Sequence, residues 1–429
     1  MCVCSSRNVM ALRGGGRGGP RIFTRWGAQY SIQPVPLKAF SVQAAKCFKL
    51  TIFKLMMLAD YAGSVFPSIA HSPWNGVRLA DFVMPFFLFV VGVSLAIVNK
   101  IVVDRTGATL KVVFRTLKLF LLGIFLQGGY LHGITGLTYG VDIERIRWMG
   151  ILQRIAVGYI VAALCEIWLP CQGLKRDILF SNYIRQWCIM ILLCAIHSGL
   201  LYGLYVPDWQ FSVSQSTGSS IYEVKCSVRG DLGPACNSAG MIDRYILGID
   251  HLYAKPVYRN MKECNGSNNN RLSVSTPSWC HAPFDPEGIL SSLTAAAACI
   301  IGLQYGHILV KFQDHKERLC SWSVLSLSLL VVGLFLAFID VPLNKSLYTI
   351  SYLLVTSAAA GITFCLLYVL VDIYGWRRLM FVLEWMGKHS LSIFILITSN
   401  IAVILIQGFY WRDPRNNIVR WVVTKFVQK

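Results

Sequence analysis

The chain is 429 residues long, and its hydrophobic residues (55%) far outnumber its charged residues (14%). With a mean hydropathy of +0.54, this composition excludes a soluble globular enzyme and indicates a membrane protein that crosses the bilayer several times. The formal net charge is +19, but Lys and Arg cluster in short segments between apolar runs. That distribution is typical of cytosolic loops in membrane proteins and argues against a nucleic-acid partner.

The first 48 residues are predicted to be a basic, disordered tail. Residues 1–54 contain no acidic residue, and residues 14–19 read GGGRGG. This composition favours a disordered cytosolic tail, with a transit peptide as the alternative.

Ten apolar stretches follow, most of them near the ~20 residues that an α-helix needs to cross the hydrocarbon core. They predict an all-α polytopic membrane protein with about ten transmembrane helices. Two membrane halves (49–206 and 284–410) are separated by a long loop (207–283), and a basic tail (411–429) ends the chain. The predicted spans lie near residues 50–67, 80–98, 112–131, 150–169, 186–206, 286–310, 321–340, 347–371, 378–389 and 391–409.

The basic turns between the spans predict the orientation. Residues 100–118 are rich in Lys and Arg, and a second basic group occupies residues 175–185. Loops of this kind stay in the cytosol. The opposite, luminal face then carries His71 and the 207–283 loop.

The most informative stretch is 60–98, where a polar cluster runs directly into a transmembrane segment. Ionisable groups at bilayer depth are costly and mark functional sites. The alternative to a functional site is a loop whose polar residues only cap helix ends, with Asp81 as the N-cap of the apolar helix. The polar residues of the cluster are Asp60, His71, Trp74, Asn75 and Asp81.

The 207–283 loop contains four cysteines and a glycosylation sequon at Asn265. Four cysteines on a luminal face predict two disulfides, and the sequence leaves all three pairings open. Four unrelated thiols are the alternative. The other cysteines show no metal-ligand spacing, so no metal site is predicted. The loop cysteines are Cys226, Cys236, Cys264 and Cys280.

Five sequence blocks, taken together, resemble a known family. They are HSPWNGVRLADFVMPFFLFVVG from His71, RIRWMGILQRIA from Arg145, GMIDRYILGIDHLY from Gly240, FDPEGIL from Phe284 and LNKSLYTISYLL from Leu343. They occur in the order expected for the heparan-alpha-glucosaminide N-acetyltransferases, and the chain resembles the plant branch of that family. The resemblance runs from about residue 50 to the C-terminus. One departure is the first core helix, where FSVQAAKCFKLTIFKLMML replaces the family's RLxSLDxFRG.

The resemblance implies a transmembrane acetyltransferase that moves an acetyl group from cytosolic acetyl-CoA to an amino sugar or glycan terminus in the lumen. In the family, the His that opens the HxxWNG block carries the transfer, and a residue eleven positions earlier is its companion. These residues are His71 and Asp60 here. An imidazole can act as a general base or carry the acetyl group covalently, and the sequence leaves both routes open.

The same blocks supply the predicted binding residues. Those predicted to contact the sugar are Trp74, Asn75, Asp243, Asp250, His251 and Glu287. Those predicted to contact acetyl-CoA are Arg154, Gln153 and Lys118. The alternative for Arg154 is a structural ion pair with an intramembrane acid, either Glu166 or Asp81.

Two other functions remain open from the sequence. Intramembrane acids such as Glu166 and Glu384 would suit a transporter for a small anion or sugar. The atypical first helix would suit a catalytically inactive family member. The resemblance predicts a lysosomal or vacuolar membrane, with the plasma membrane as the alternative. Membrane lipid is an expected partner, and a homodimer is compatible with the pattern.

Overall fold

A computed structural model describes most of the chain from residue 41 onward. The described residues are 41–62, 66, 68–98, 104–127, 146–169, 183–215, 218–253, 256–264 and 277–375, together with 392, 395 and 425. All of them belong to one compact unit, residues 38–429.

The described residues form nine α-helices and one β-hairpin. The first five helices are α1 (Ser41–Ala62), α2 (Val83–Val98, preceded by a 3-10 turn, Leu79–Phe82), α3 (Arg105–Gln127), α4 (Ile151–Trp168) and α5 (Ile184–Gly203). The remaining elements are β1 (Trp209–Gln215), β2 (Gly218–Val224), α6 (Ser238–Leu247), α7 (Ile289–Lys311), α8 (His315–Phe338) and α9 (Ile350–Tyr368), which continues into a π-helix (Val369–Ile373).

Six segments among the described residues are long and apolar enough to cross a membrane. They are Leu79–Val98, α4, α5, α7, α8 and Ile350–Ile373. Helices α1 and α3 have the required length, but each carries several charged residues. A multi-pass, mostly helical architecture is therefore confirmed. The predicted spans at 378–389 and 391–409 lie outside the described residues, apart from residues 392 and 395, so the total of about ten stays a prediction.

The structure differs from the sequence prediction in two places. Helix α1 begins at Ser41, inside the segment predicted to be a disordered tail. Hydropathy marks only its apolar part, whereas the earlier turns bury Ala45 and Phe48 against the helical core. The second difference is the antiparallel hairpin of β1 and β2, which pairs Trp209 with Val224. An all-α description therefore omits this element of the loop.

Helix α7 lies at the centre of the helical body. Nearly every residue from Leu290 to Leu309 is buried, and the helix packs against α2, α4 and α5. A Cβ atom added at Gly92 would lie 2.0 Å from the Cys299 carbonyl oxygen, and one at Gly302 would lie 2.1 Å from that of Phe89. These two glycines therefore allow the backbones of α2 and α7 to approach closely, as small residues do in membrane helix pairs.

Helices α2, α4, α7 and α9 all begin at one end of the body, here named the His71 end. The segments that precede them touch one another: Arg147 contacts Asp285, and Lys345 contacts His71. The 207–283 loop lies at the same end, because the Asp243 carboxylate accepts a hydrogen bond from the Ile289 N–H at the start of α7. The predicted orientation also puts these segments on one side of the membrane.

Candidate active site

The centre of the His71 end is an imidazole paired with a carboxylate. His71 Nδ1 lies 2.9 Å from Asp81 Oδ1. The His71 side chain is 40% exposed, whereas the Asp81 side chain is 0% exposed. A buried carboxylate on Nδ1 orients the ring and leaves Nε2 as the nitrogen available to a substrate.

The polar loop before α2 folds around the Asp81 carboxylate. Asp81 Oδ2 accepts hydrogen bonds from the backbone N–H groups of Ser72 (3.1 Å) and Arg78 (3.0 Å). The bond from Arg78 is half of a capping box at the start of the 3-10 turn. Asp81 is therefore not the N-cap that the sequence suggested as an alternative: the N-cap is Arg78, and Asp81, the third residue of the 3-10 turn, accepts from the Arg78 N–H and also holds His71.

Lys345 is a second partner of the imidazole. Its Nζ lies 2.8 Å from His71 Nδ1 and 3.3 Å from Asp81 Oδ1. Nδ1 cannot donate to Asp81 and accept from Lys345 at the same time. The two contacts are therefore alternatives that depend on where the imidazole carries its proton.

A short backbone pairing brings Lys345 to this position. Asn75 and Asn344 form an isolated antiparallel bridge. The Gly76 N–H donates to the Leu343 carbonyl oxygen (2.8 Å), and Asn344 Nδ2 donates to Asn75 Oδ1 (3.1 Å). Backbone and side-chain hydrogen bonds thus join the HSPWNG block to the LNKSLYT block, although the two are far apart in the sequence.

Arg147 forms an ion-pair cluster beside this pair. Its Nε donates to Asp285 Oδ2 (2.8 Å), and its Nη2 lies 2.5 Å from both Asp285 Oδ1 and Glu287 Oε2. Burial alone would raise the pKa of Glu287, but Arg147 and Arg154 hold that pKa below its usual value. The ionised forms of Asp285 and Glu287 are stabilised by Arg147, because buried charges without a partner are strongly disfavoured.

Asp243 lies next to this cluster under the first turn of α7. Burial raises the pKa of its carboxyl to about 7, and the charge of Asp285 adds to that rise. A raised folded-state pKa means that the protonated form favours the fold. The contribution is fully present below the ordinary pKa of 3.8 and is lost as the pH rises through about 7.

We therefore expect the free energy of unfolding to fall more steeply with rising pH in the wild type than in the Asp243→Asn variant. The amide keeps an oxygen acceptor for the Ile289 N–H and cannot ionise. Between about pH 5 and pH 8 the difference between the two proteins should be on the order of a few kcal/mol. Thermal melts of the detergent-solubilised proteins across this range check it. Parallel pH dependences of the two proteins would contradict it.

The residues predicted to contact acetyl-CoA do not form one cluster. Arg154 is buried, and its Nη2 donates to the Pro286 carbonyl oxygen (2.5 Å) and to the Ser291 hydroxyl. It forms no ion pair with Asp81 or Glu166; Glu166 instead lies 3.1 Å from His307 Nε2. Gln153 is buried, and neither amide atom has a hydrogen-bond partner among the described residues. Lys118 is exposed on α3.

The residues predicted to contact the sugar are divided between the surface and the interior. Asn75 and Asp250 are exposed, whereas Asp243 and Glu287 are buried. Trp74 is only 4% exposed, packs against Tyr258 and Phe284, and donates from Nε1 to the Leu232 carbonyl oxygen (2.9 Å). The indole therefore attaches the polar loop before α2 to the 207–283 loop.

His251 is also held by the protein. Its Nδ1 lies 2.7 Å from the Ile146 carbonyl oxygen, and its ring lies beside that of Trp148. Asp60 is in α1, and its side chain lies outside the described ones. Its predicted role beside His71 stays a prediction. The residues predicted for the site did not include Lys345 or Asp285, although both lie in blocks that carry the resemblance, LNKSLYT and FDPEGIL.

The predicted disulfides are present. Cys226 pairs with Cys236, and Cys264 pairs with Cys280. The structure thus selects one of the three pairings that the sequence left open. Asn265 lies outside the described residues. Groups of His, Cys, Asp and Glu that could hold a metal ion are absent from the described part of the chain.

Comparison with known proteins gives two relatives. The chain is 28% identical to the heparan-alpha-glucosaminide N-acetyltransferase of Mus musculus, over 91% of the chain and 58% of that protein. It is 27% identical to the protein of the same name from Homo sapiens, over 86% of the chain and 54% of that protein. The chain therefore spans little more than half the length of these relatives. No protein-family model matches it.

Proposed function

We propose that the chain is a member of the heparan-alpha-glucosaminide N-acetyltransferase family, as its similarity to two proteins of that name supports. On that premise we propose that it transfers an acetyl group from acetyl-CoA to an amino sugar, with His71 as the reacting side chain. The observation that carries this proposal is the pair of an exposed imidazole and a buried carboxylate, His71 and Asp81, 2.9 Å apart. An imidazole titrates near neutral pH, so it can both take up and release a proton during the transfer.

In the first route His71 acts as a general base. The amine nitrogen of the sugar attacks the thioester carbonyl carbon while His71 Nε2 removes the amine proton. The C–S bond then breaks, and the departing sulfur takes that proton, so the products are the N-acetyl sugar and CoA thiol. Asp81 stabilises the imidazolium that exists between the two proton transfers.

In the second route His71 Nε2 attacks the thioester carbon itself. The C–S bond breaks, CoA leaves as the thiolate, and the acetyl group remains on the ring as an acetyl-imidazolium whose Nδ1–H donates to Asp81. The sugar amine then attacks the acetyl carbon, the C–N bond to His71 breaks to restore the neutral imidazole, and the proton lost by the amine balances the charge of the thiolate. This route suits a membrane enzyme, because only the acetyl group has to pass from one substrate to the other.

The proposed binding residues follow from burial and charge. The buried Gln153 amide, which lacks a partner among the described groups, is a candidate contact for the amide-containing arm of acetyl-CoA. Arg154 already donates hydrogen bonds to Pro286 and Ser291, so it would attract the anionic acetyl-CoA through its positive charge. Exposed polar groups at the His71 end, such as Asn75 and Asp250, are candidates for the sugar hydroxyls.

The finer topology belongs to the same proposal. We infer about ten spans, with the His71 end on the luminal side of a lysosomal or vacuolar membrane. The charge distribution supports it: Arg105 begins α3, which follows α2, and Lys311 ends α7, and both α2 and α7 begin at the His71 end. The sugar acceptor would then meet His71 from the lumen, and acetyl-CoA would reach the protein from the cytosol.

The test is transfer of a labelled acetyl group in sealed vesicles that carry the purified protein. Acetyl-CoA is supplied on one side only, and glucosamine or another amino sugar on the other. We expect labelled N-acetyl sugar with the wild type and none above background with His71→Ala. Equal product from both proteins, or none from a folded wild type across a panel of amino sugars, would contradict the proposal. Uptake of unmodified sugar would indicate a transporter.

A further inference from the structure

The electrostatics of His71 raise a problem that its pairing with Asp81 does not solve. A buried carboxylate beside an imidazole stabilises the imidazolium. A protonated imidazole is neither a base nor a nucleophile. A catalytic histidine therefore needs a second charge that offsets the carboxylate in the resting state.

Lys345 is placed to supply that charge. Its Nζ is 3.3 Å from Asp81 Oδ1 and 2.8 Å from His71 Nδ1, and its side chain is only 19% exposed. The carboxylate is completely buried, so solvent screens this interaction weakly. The ammonium both neutralises Asp81 and opposes a positive charge on the ring.

Among the described residues, Lys345 contacts both the His71 ring and the Asp81 carboxylate, and the other charged groups nearby are held as follows. Arg78, from the same loop as Asp81, donates to that carboxylate through its backbone N–H. Glu287 interacts electrostatically with Lys345, but its carboxylate is bound by Arg147. Arg147 in turn is shared with Asp285. The side chain of Asp60 lies outside the described ones.

We propose that the Lys345 ammonium neutralises Asp81 and thereby keeps His71 an uncharged imidazole under acidic conditions. Lys345 is then a positioning residue: it acts on His71 and touches no substrate. In the resting state Nδ1–H donates to Asp81, which leaves Nε2 unprotonated, and the ammonium pairs with the Asp81 carboxylate. When His71 takes up a proton or the acetyl group at Nε2, the positive ring repels the ammonium toward Glu287. The activity part of this inference rests on the proposed acetyl transfer, whereas the protonation state of His71 does not.

The test compares Lys345→Met, Lys345→Gln and Lys345→Arg in the full chain in detergent. Met removes the charge and keeps the aliphatic stem, Gln keeps a hydrogen-bond donor without charge, and Arg keeps the charge. Lys262→Met, at an exposed position of the 207–283 loop, is the matched control. Gel filtration establishes that each variant is folded.

The first readout does not require enzyme activity. Diethyl pyrocarbonate acylates only the unprotonated imidazole, so the extent of modification of the His71 peptide against pH, measured by mass spectrometry, reports the charge of the ring. We expect the midpoint to move to higher pH by about one unit or more in the Met and Gln variants. It should stay at the wild-type value in the Arg and Lys262 variants. An unchanged midpoint in the Met and Gln variants, or an equal shift in the Arg variant, would overturn the proposal.

The second readout is acetyl transfer against pH. We expect the Met variant to approach wild-type kcat near pH 8 and to lose about tenfold or more relative to wild type near pH 5. The KM for acetyl-CoA should change little. A loss that is uniform across pH, or confined to KM, would indicate a structural or substrate-binding lysine and overturn the proposal. If the wild type transfers no acetyl group, the proposed function fails, and the modification experiment still decides the role of Lys345.

Discussion

Replacing Asp81 with Asn is expected to lower kcat for acetyl transfer by roughly a hundred- to ten-thousand-fold while the chain remains folded. The Asn side chain keeps one oxygen acceptor for the backbone N–H groups of Ser72 and Arg78. Its NH₂ group would face His71 Nδ1 as a donor. Nδ1 would then become the acceptor and Nε2 would carry the proton, which is the wrong tautomer for a base or nucleophile.

The measurement is kcat for the purified variant beside the wild type, with gel filtration and a melting curve to establish the fold. Asp104→Asn is the matched control, because that carboxylate caps the start of α3 at an exposed position. It should leave kcat within about twofold of the wild type, as surface substitutions usually do. A folded Asp81→Asn protein with wild-type kcat would show that the contact between His71 and Asp81 has no catalytic role.

Replacing Arg147 with Met is expected to destabilise the protein by roughly 3–5 kcal/mol. Arg147 is the hydrogen-bonded cation of both Asp285 and Glu287, whose side chains are 0% and 12% exposed. Without the guanidinium, two buried carboxylates would face each other with no cation hydrogen-bonded to both. The expected result is a large drop in melting temperature near neutral pH.

The pH dependence separates this cause from a loss of packing. Without Arg147 the folded-state pKa values of the two carboxyl groups would rise above their unfolded values. The variant should therefore be most stable at low pH and lose stability as the pH rises through those values. Adding Asp285→Asn should restore part of the melting temperature. Arg229→Met, at an exposed loop position, should change stability by less than about 0.5 kcal/mol. A loss that is equal at all pH values would point to packing.

The membrane helices were the part of the fold most open to prediction. Continuous apolar stretches of about 20 residues have few alternatives to a transmembrane helix, and six of the predicted spans correspond to such helices in the structure. The boundaries of α1 were less accessible, because its first turns combine lysines with buried residues such as Phe48. The hairpin of the 207–283 loop has no apolar run that would mark it.

The sequence predicted which residues belong to the candidate site better than it predicted which of them are in contact. The sequence identified His71, and the resemblance named Asp60 as its companion, whereas the structure places Asp81 against Nδ1. The sequence placed Asp81 in the same polar cluster, with a helix cap as the alternative, but did not predict its contact with His71. One carboxylate has two oxygens, so it can cap the 3-10 turn through Oδ2 and hold His71 through Oδ1. A motif at the start of a helix does not distinguish these roles.

The sequence by itself determined that the chain is a multi-pass membrane protein, predicted two disulfides from the four cysteines of the 207–283 loop, and placed His71 at the start of the HxxWNG block. Hydropathy, cysteine count and a family motif are local properties, so the residues alone carry them. Only the tertiary structure decided the contacts of His71 with Lys345, 274 residues away, and of Arg147 with Asp285, 138 residues away. Those contacts exist because α2, α4, α7 and α9 begin at the same end of one packed body, and no local pattern encodes which charges meet there.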